Sequence, residues 1–304
     1  MIKAFDSRVM LVLAVVLAFI FPGFSGVVSD YLIVVIILMM VFSMKEVGTE
    51  GIGKAKKREV LSLLLINSVF LSIGYILAAK MFVLESYRDA IIVFGLMPPA
   101  AGIVSVGYIL GWDTTTGVAA EFISYIAGIA LIPIAAYMLF EKTISPLRIL
   151  NVLIVVLVLP FLVSRAVYYA EKKRKKDILS KKTTKNIVNA LYAVLFYIII
   201  GMNKDAFLSE FNDLASVFAV FFGMTFVLGT IVLVCIKKNA VKSKAVNFVL
   251  FGTMKNGSIA IAVTLLLFGK KELAAFAVQA VLGALYIIYL EWLVPFAYKR
   301  KAAR

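Results

Sequence analysis

Ten stretches of this chain are apolar over lengths near those a helix needs to cross a bilayer: residues near 9–24, 31–44, 60–84, 90–111, 114–140, 147–168, 186–202, 213–236, 246–268 and 273–297. A hydrocarbon core of about 30 Å takes about 20 residues of helix, so the runs predict an integral membrane protein. The chain is 304 residues long, 63% hydrophobic, with a mean hydropathy of +1.02, well above that of water-soluble domains. Open sheet edges are excluded from hydrocarbon, and the runs lack the short apolar–polar alternation of barrel strands. The expected class is an all-α polytopic membrane protein of ten transmembrane helices.

The net charge of +15 raises the question of nucleic acid, and the tract "EKKRKKDILSKKTTK" at 171–185 is where such binding would sit. Its place in the chain argues for topology instead. Lys and Arg concentrate in alternate loops, 45–58, 172–185, 237–244 and the tail 299–304, together with Lys3 and Arg8. The intervening loops carry only Lys80, Arg88, Lys142, Arg148, Lys204, Lys270 and Lys271. By the positive-inside rule the rich loops and both termini face the cytoplasm of a multi-pass cell-membrane protein. The expected partner of the basic surface is the lipid bilayer, through anionic headgroups, and no nucleic acid.

The first apolar run is read as a span rather than a signal peptide, because ten spans satisfy the charge bias. Cys235 is the single cysteine, which excludes an internal disulfide, and it is read as a small buried hydrophobe. There is no histidine. That removes His-based acid/base chemistry, Ser-His triads and most zinc sites, so no cofactor and no metal centre is expected.

No soluble domain fits between the runs, so function must reside within the membrane. The segment "VFGLMPPAAGIVSVGYILG" (93–111) aligns without gaps on "LFGTMKNGSIAIAVTLLLF" (250–268), 157 residues further on. Phe94, Gly95, Met97, Val106 and Leu110 meet Phe251, Gly252, Met254, Val263 and Leu267. These segments are the fourth and ninth runs, five apart, and so cross in opposite senses. The pattern predicts a 5+5 inverted repeat, residues 1–142 and 143–304, an architecture common in secondary transporters. Both segments also break at one place. Pro98 and Pro99 remove backbone donors, while Lys255, Asn256 and Gly257 bring polar side chains and a flexible residue to the equivalent positions. Broken helices in matching places point to a midplane binding site; a kink at the prolines with close packing at the glycine is the structural alternative.

"TMKNGSIAIAV" and "LMPPAAGIVSVGYILGWDTTT" resemble the span-nine and span-four motifs of the bile acid:sodium symporter family, and the Pro-Pro-Ala segment is similar to that of auxin efflux carriers of like architecture. The cysteine that arsenite exporters of the same superfamily carry in span four is lacking here. The resemblance implies that spans four and nine are unwound and cross at midplane. It implies a core of helices three to five and eight to ten that moves against a panel of helices one, two, six and seven, and organic-anion uptake coupled to sodium. The sodium ligands are degraded. A small polar pair falls on Ile103 and Val104, a hydroxyl on Glu121, another on Gly117, an acidic residue on Phe251, and an amide on Lys255. Asn256 matches, and Asn67 stands where the family often has glutamine.

Independently of the resemblance, Lys255 and Glu121 are the ionisable residues deepest within the runs. A charge at the centre of a bilayer costs at least about 2.5–3.5 kcal/mol on insertion scales, so such residues are as a rule paired or functional. Both lie roughly 10–15 Å from the cytoplasmic face at 1.5 Å per residue, which allows them to meet. A structural ion pair and a functional one remain alternatives. The preferred reading is that Lys255 supplies permanently the positive charge that sodium brings in the family, with Glu121 as its partner or as a proton site. The coupling ion is then a proton or none, ahead of sodium. Thr253, Gly257, Ser258 and Gln279, with Ser105, Ser124 and Thr264, are candidate lining residues, each equally able to bond its own helix backbone. Arg165 and Glu291 are read as interfacial.

The expected function is therefore a secondary active or facilitative transporter of a small organic anion. The alternatives are a sodium-coupled symporter, an auxin-efflux-type carrier and, outside transport, a ligand-binding membrane receptor. An enzyme is not expected, since too few polar residues converge at one depth.

Overall fold

A computed structural model describes residues 7–45, 52–140, 145–174 and 177–299. Lys3, Lys142, the tail beyond 299, the 142/143 junction, and residues 46–51 and 175–176 of the basic loops lie outside the described residues.

The described chain is almost wholly helical. In order it forms α1 (Ser7–Ile20), α2 (Pro22–Val28), α3 (Leu32–Lys45), α4 (Lys57–Phe82), α5 (Glu85–Leu96), α6 (Ile103–Leu110) and α7 (Thr114–Leu139). There follow α8 (Leu147–Arg174), α9 (Lys181–Met202), α10 (Lys204–Ser209), α11 (Asn212–Ile236), α12 (Lys242–Thr253), α13 (Gly257–Leu267) and α14 (Ala274–Lys299). Seven helical stretches among the described residues are long and apolar enough to cross a membrane. The fourth and ninth apolar runs are not among these seven, because each is split into two half-helices, α5 with α6 and α12 with α13.

The first run departs from its expected limits of 9–24. Helix α1 has 14 residues, about 21 Å at 1.5 Å per residue, and stops before Phe21, which leaves helical geometry at φ −122°, ψ 56°. The ring of Pro22 disfavours helical backbone at the residue before it, and proline itself opens α2 at a position where no donor is needed.

Helix ends elsewhere are set by local chemistry. Asp113 caps α7, accepting from Thr116 N at 3.3 Å and from Thr116 Oγ1 at 2.8 Å. Ser180 caps α9 through Thr183 N at 3.1 Å, and Asn256 caps α13. The half-helices α6 and α13 are followed by Gly111 (φ +76°) and Gly269 (φ +108°), left-handed positions that glycine adopts without Cβ strain.

Helix α9 packs on α1, α2 and α3, and α8 on α3; separately, α4 packs on α5 and α7, and α11 on α12 and α14. One apolar core is centred on Tyr75, Phe94, Phe221 and Phe276, with edge-on ring pairs at 5.1 Å between Tyr75 and Phe94 and between Phe94 and Phe221. A second gathers Trp112, Phe251 and Tyr286. Large apolar residues such as Phe70, Met81, Met138 and Trp292 are exposed around the outside, as a lipid-facing surface requires. Cys235 is one of the exposed residues, correcting its expected burial: it lies on the outward face of α11, where apolar character is met by lipid as well as by packing.

Trp112 occupies the turn between α6 and α7, with its ring against Gly107 and Gly117. A Cβ at Gly117 would fall 2.4 Å from the Trp112 ring. Gly117→Ala is expected to lower the melting temperature of the detergent-solubilised protein through an overpacking cost of about 1–3 kcal/mol. Gly53→Ala, where an added Cβ meets nothing within 4 Å, is expected to leave it unchanged.

Candidate functional site

The two helix breaks meet. Met97 leaves α5 in extended geometry (ψ 155°), and Met254 (ψ 117°) and Asn256 (ψ 93°) are extended between α12 and α13. Pro99 and Lys255 pair as an isolated antiparallel bridge, and Asn256 N donates to Pro98 O at 2.8 Å. Prolines contribute carbonyls but no donors, so the crossing is bonded from one side. The donors come from the 254–256 segment and from neighbouring side chains. The half-helices around it interleave, α13 against α5 and α12 against α6.

Lys255 is 2% exposed. Its Nζ donates to the main-chain carbonyl of Asn67 at 2.7 Å and to Ser72 Oγ at 3.0 Å. Both acceptors lie on α4, where residues Ile66–Leu71 form a π-helical turn. Such a turn interrupts the regular helical ladder, and π turns are frequent at functional sites. The carbonyl of Asn67 within it also accepts from the Ser72 hydroxyl at 3.4 Å.

Asn67 is fully buried and joins the lysine to the end of α12. Its Nδ2 donates to Phe251 O at 2.8 Å and Met254 O at 3.2 Å, satisfying carbonyls that the half-helix leaves open. The ammonium thus sits beside a helix C-terminus, where the backbone dipoles favour positive charge.

Asn256 works on the other side of the crossing. Its Oδ1 accepts from Ile259 N at 3.0 Å, and its Nδ2 donates to Tyr125 OH at 3.1 Å and lies 3.8 Å from Met40 Sδ. Tyr125 OH in turn donates to Pro99 O at 3.1 Å. Asn256, Tyr125 and Pro99 form a continuous polar link through the crossing.

The remaining candidates divide. Thr253 donates to Val249 O at 2.7 Å and pairs with Tyr286 OH at 2.9 Å, and Ser124 donates to Ala120 O at 2.7 Å. Ser258 is 4% exposed beside the cap of α13. A Cβ at Gly257 would stand 2.8 Å from Gln279 Oε1, so Gln279 packs directly on that glycine. Ser105 is exposed and does not line the crossing. Arg165 is 8% exposed and donates to Met44 O and to Ser164 Oγ, which replaces the interfacial placement with a buried one.

Glu121 is not the partner of Lys255. It is fully buried in α7, and neither carboxylate oxygen has a hydrogen-bond partner. The lysine is held by α4 instead, because the π turn offers acceptors that need no second charge. Ser72, Tyr125 and Tyr192 escaped the sequence reading. Ser72 follows Asn67 by five residues, a spacing that shares a site only when a π turn widens the helix. Tyr125 follows Glu121 by four, a helical spacing that marks a shared face. Tyr192 of α9 lies against the first break, its hydroxyl 3.9 Å from where a Cβ at Gly102 would be.

A separate polar cleft of about 520 Å³ lies where α2 and the end of α9 meet the turn before α14; Ser25, Ser29, Asn203, Lys270 and Lys271 line it. Lys270 Nζ donates there to Ser29 Oγ at 3.1 Å.

No protein-family model matches this chain, and no curated protein matches it.

Removing the Asn67 amide leaves buried carbonyls of α12 unsatisfied, a cost of about 1–3 kcal/mol. Asn67→Ala is expected to lower the melting temperature clearly, and Ser68→Ala, one residue away and half-buried, only slightly.

Proposed function

We propose that this protein is a secondary transporter of a small organic anion, of the bile acid:sodium symporter type, in which Lys255 stands in the place of a coupling sodium ion. The observation that carries the reading is a buried lysine side chain whose Nζ is bonded to Asn67 O and Ser72 Oγ where two broken helices cross. Carbonyl and hydroxyl oxygens are the ligand types a hard cation takes; here a covalently attached cation uses them.

In this reading ten spans form a 5+5 inverted repeat, with α5–α6 and α12–α13 as the fourth and ninth. Several coincidences support it. Helices α5 and α12 have 12 residues each and start 157 residues apart, the offset of the aligned motifs. The π turns Ile66–Leu71 and Gly223–Val227 start at the same offset. The two left-handed glycines each follow the second half-helix. The packing of α1, α3, α8 and α9 is in keeping with a panel of spans one, two, six and seven. The core of spans three to five and eight to ten then moves against it, and both termini face the cytoplasm of the cell membrane.

Alternating access needs two arrangements around one site. Residues of the panel, Tyr192 and Met40, reach the crossing at Gly102 and Asn256, and in this reading the anion binds between the layers there once they part. Lys255 supplies attraction without exchange of an ion.

A specifically bound ion raises native stability by mass action. The melting temperature of purified protein is expected to be equal in sodium chloride and choline chloride at matched ionic strength, and a sodium-dependent rise is expected to emerge in Lys255→Gln. A rise of several degrees in the wild type would overturn the substitution of lysine for ion and favour sodium symport, for which the same carbonyls are available ligands.

A further inference from the structure

Lys255 is committed to α4, which leaves Glu121 as a second buried ionisable group with its own electrostatic surroundings. Its side chain has no solvent exposure, and neither oxygen is bonded. An ionised carboxylate without hydrogen bonds or a close counter-charge is strongly disfavoured in such a place. Arg165 on α8 is a buried cation on the Glu121 side of that helix: its guanidinium lies 5.7 Å from the Phe161 ring centre, and that ring packs at 5.6 Å on Phe122, the residue next to Glu121. Tyr125 stands one turn along α7 from Glu121. Tyr192 of α9 stands at Gly102, by the first break. The other charged residues of the helices packed on α7, namely Lys57, Arg58, Glu59 and Lys80 of α4, Glu85, Arg88 and Asp89 of α5, and Arg148, Glu171, Lys172, Lys173 and Arg174 of α8, lie towards the ends of those helices, away from Glu121 in the middle of α7.

Arg165 and Glu121 belong to different layers. The guanidinium is fixed to the panel by Met44 O and Ser164 Oγ, and the carboxyl rides on a core helix. On the other side of Glu121, Tyr125 bonds both Asn256 and Pro99. A sliding of core against panel changes the separation of guanidinium and carboxyl. A change of charge at Glu121 in turn acts on the tyrosine that ties the crossing together.

Resting on the carrier reading above, we propose that Glu121 is the proton-binding site of the transport cycle, ionised when Arg165 is drawn close and protonated when the layers separate the two. The step makes and breaks one O–H bond: the carboxylate takes a proton from water on one face of the membrane and returns it to water on the other. The co-transported ion is then a proton at Glu121, while the charge at the crossing stays fixed on Lys255. Tyr125 is a positioning residue that passes the state of the carboxyl to the crossing.

The test needs protons alone. The protein is reconstituted in neutral phosphatidylcholine vesicles and followed by infrared difference spectroscopy between alkaline and acid buffer, with amide hydrogen exchange of residues 100–103 and 254–256 in the same buffers. The wild type is expected to show a titrating carboxylic-acid C=O band and an exchange rate at the crossing that differs several-fold between the buffers. Glu121→Gln, which mimics the protonated form in size and hydrogen bonding, is expected to lose that band and the exchange response while remaining monodisperse. Glu121→Asp is expected to keep both, and Arg165→Gln to shift the titration of the band. A band that survives in Glu121→Gln would overturn the proton site. Loss of the band with the exchange response intact would overturn its link to the crossing. A protein with both responses that moves no organic anion into the same vesicles would refute the carrier reading while leaving the proton site standing, so the two failures are distinguishable.

Discussion

Backbone groups in hydrocarbon must be satisfied within the protein, and the arrangement of this molecule follows from how two interrupted helices meet that demand. Four half-helix ends are brought to one place, each with open donors or acceptors. The prolines at 98 and 99 offer carbonyls and no donors; Asn256 N answers Pro98 O and Tyr125 OH answers Pro99 O, while the Asn67 amide answers Phe251 O and Met254 O at the end of α12. The three side chains or main-chain groups sit on different elements, so the crossing fastens α4, α7 and the two broken spans to one another. Without these partners the breaks would be untenable at this depth.

The two buried charges are accommodated differently. Lys255 is solved locally, by a carbonyl and a hydroxyl on one helix and by its position beside a helix C-terminus. Its donors are directed at neutral acceptors whose orientation is fixed by backbone geometry, so its charge needs no counter-ion that could be drawn away. Glu121 has no such arrangement: it is fully buried and neither of its oxygens is hydrogen-bonded. In the proposed cycle, a fixed charge and a conditional one, both within a few turns of the same crossing, make the site asymmetric in what motion can alter.

Much of the fold was legible because composition and topology are coupled in membrane proteins. Apolar runs located the helices, and the double proline with its lysine counterpart at a constant offset located the crossing. The partner of Lys255 was not legible. Equal depth suggested Glu121, but depth ignores rotation about the helix axes, and nearly every face here is apolar, so periodicity gave no bearing. The π turn of α4 has no signature in "INSVFL"; it is imposed by packing and by the side chains that use its carbonyl. Arg165 was misread for a related reason: its position near the end of a span suggested an interface, while its reach to Met44 O on a neighbouring helix buries it. The early end of α1 was available from Phe21-Pro22, a local backbone rule outweighed by hydropathy that continues past it.

A π turn holds one residue more than the α-helical turn it replaces. Deleting a single residue between Ile66 and Leu71 would restore regular α4, rotating everything on its C-terminal side by roughly 100° about the axis. Ser72 would leave the lysine and Tyr75 would leave its aromatic cluster together. The lysine's acceptor and the core of α4 are thus tied to one insertion, so a change in chain length at this turn would undo both at once, where a point substitution would touch only one.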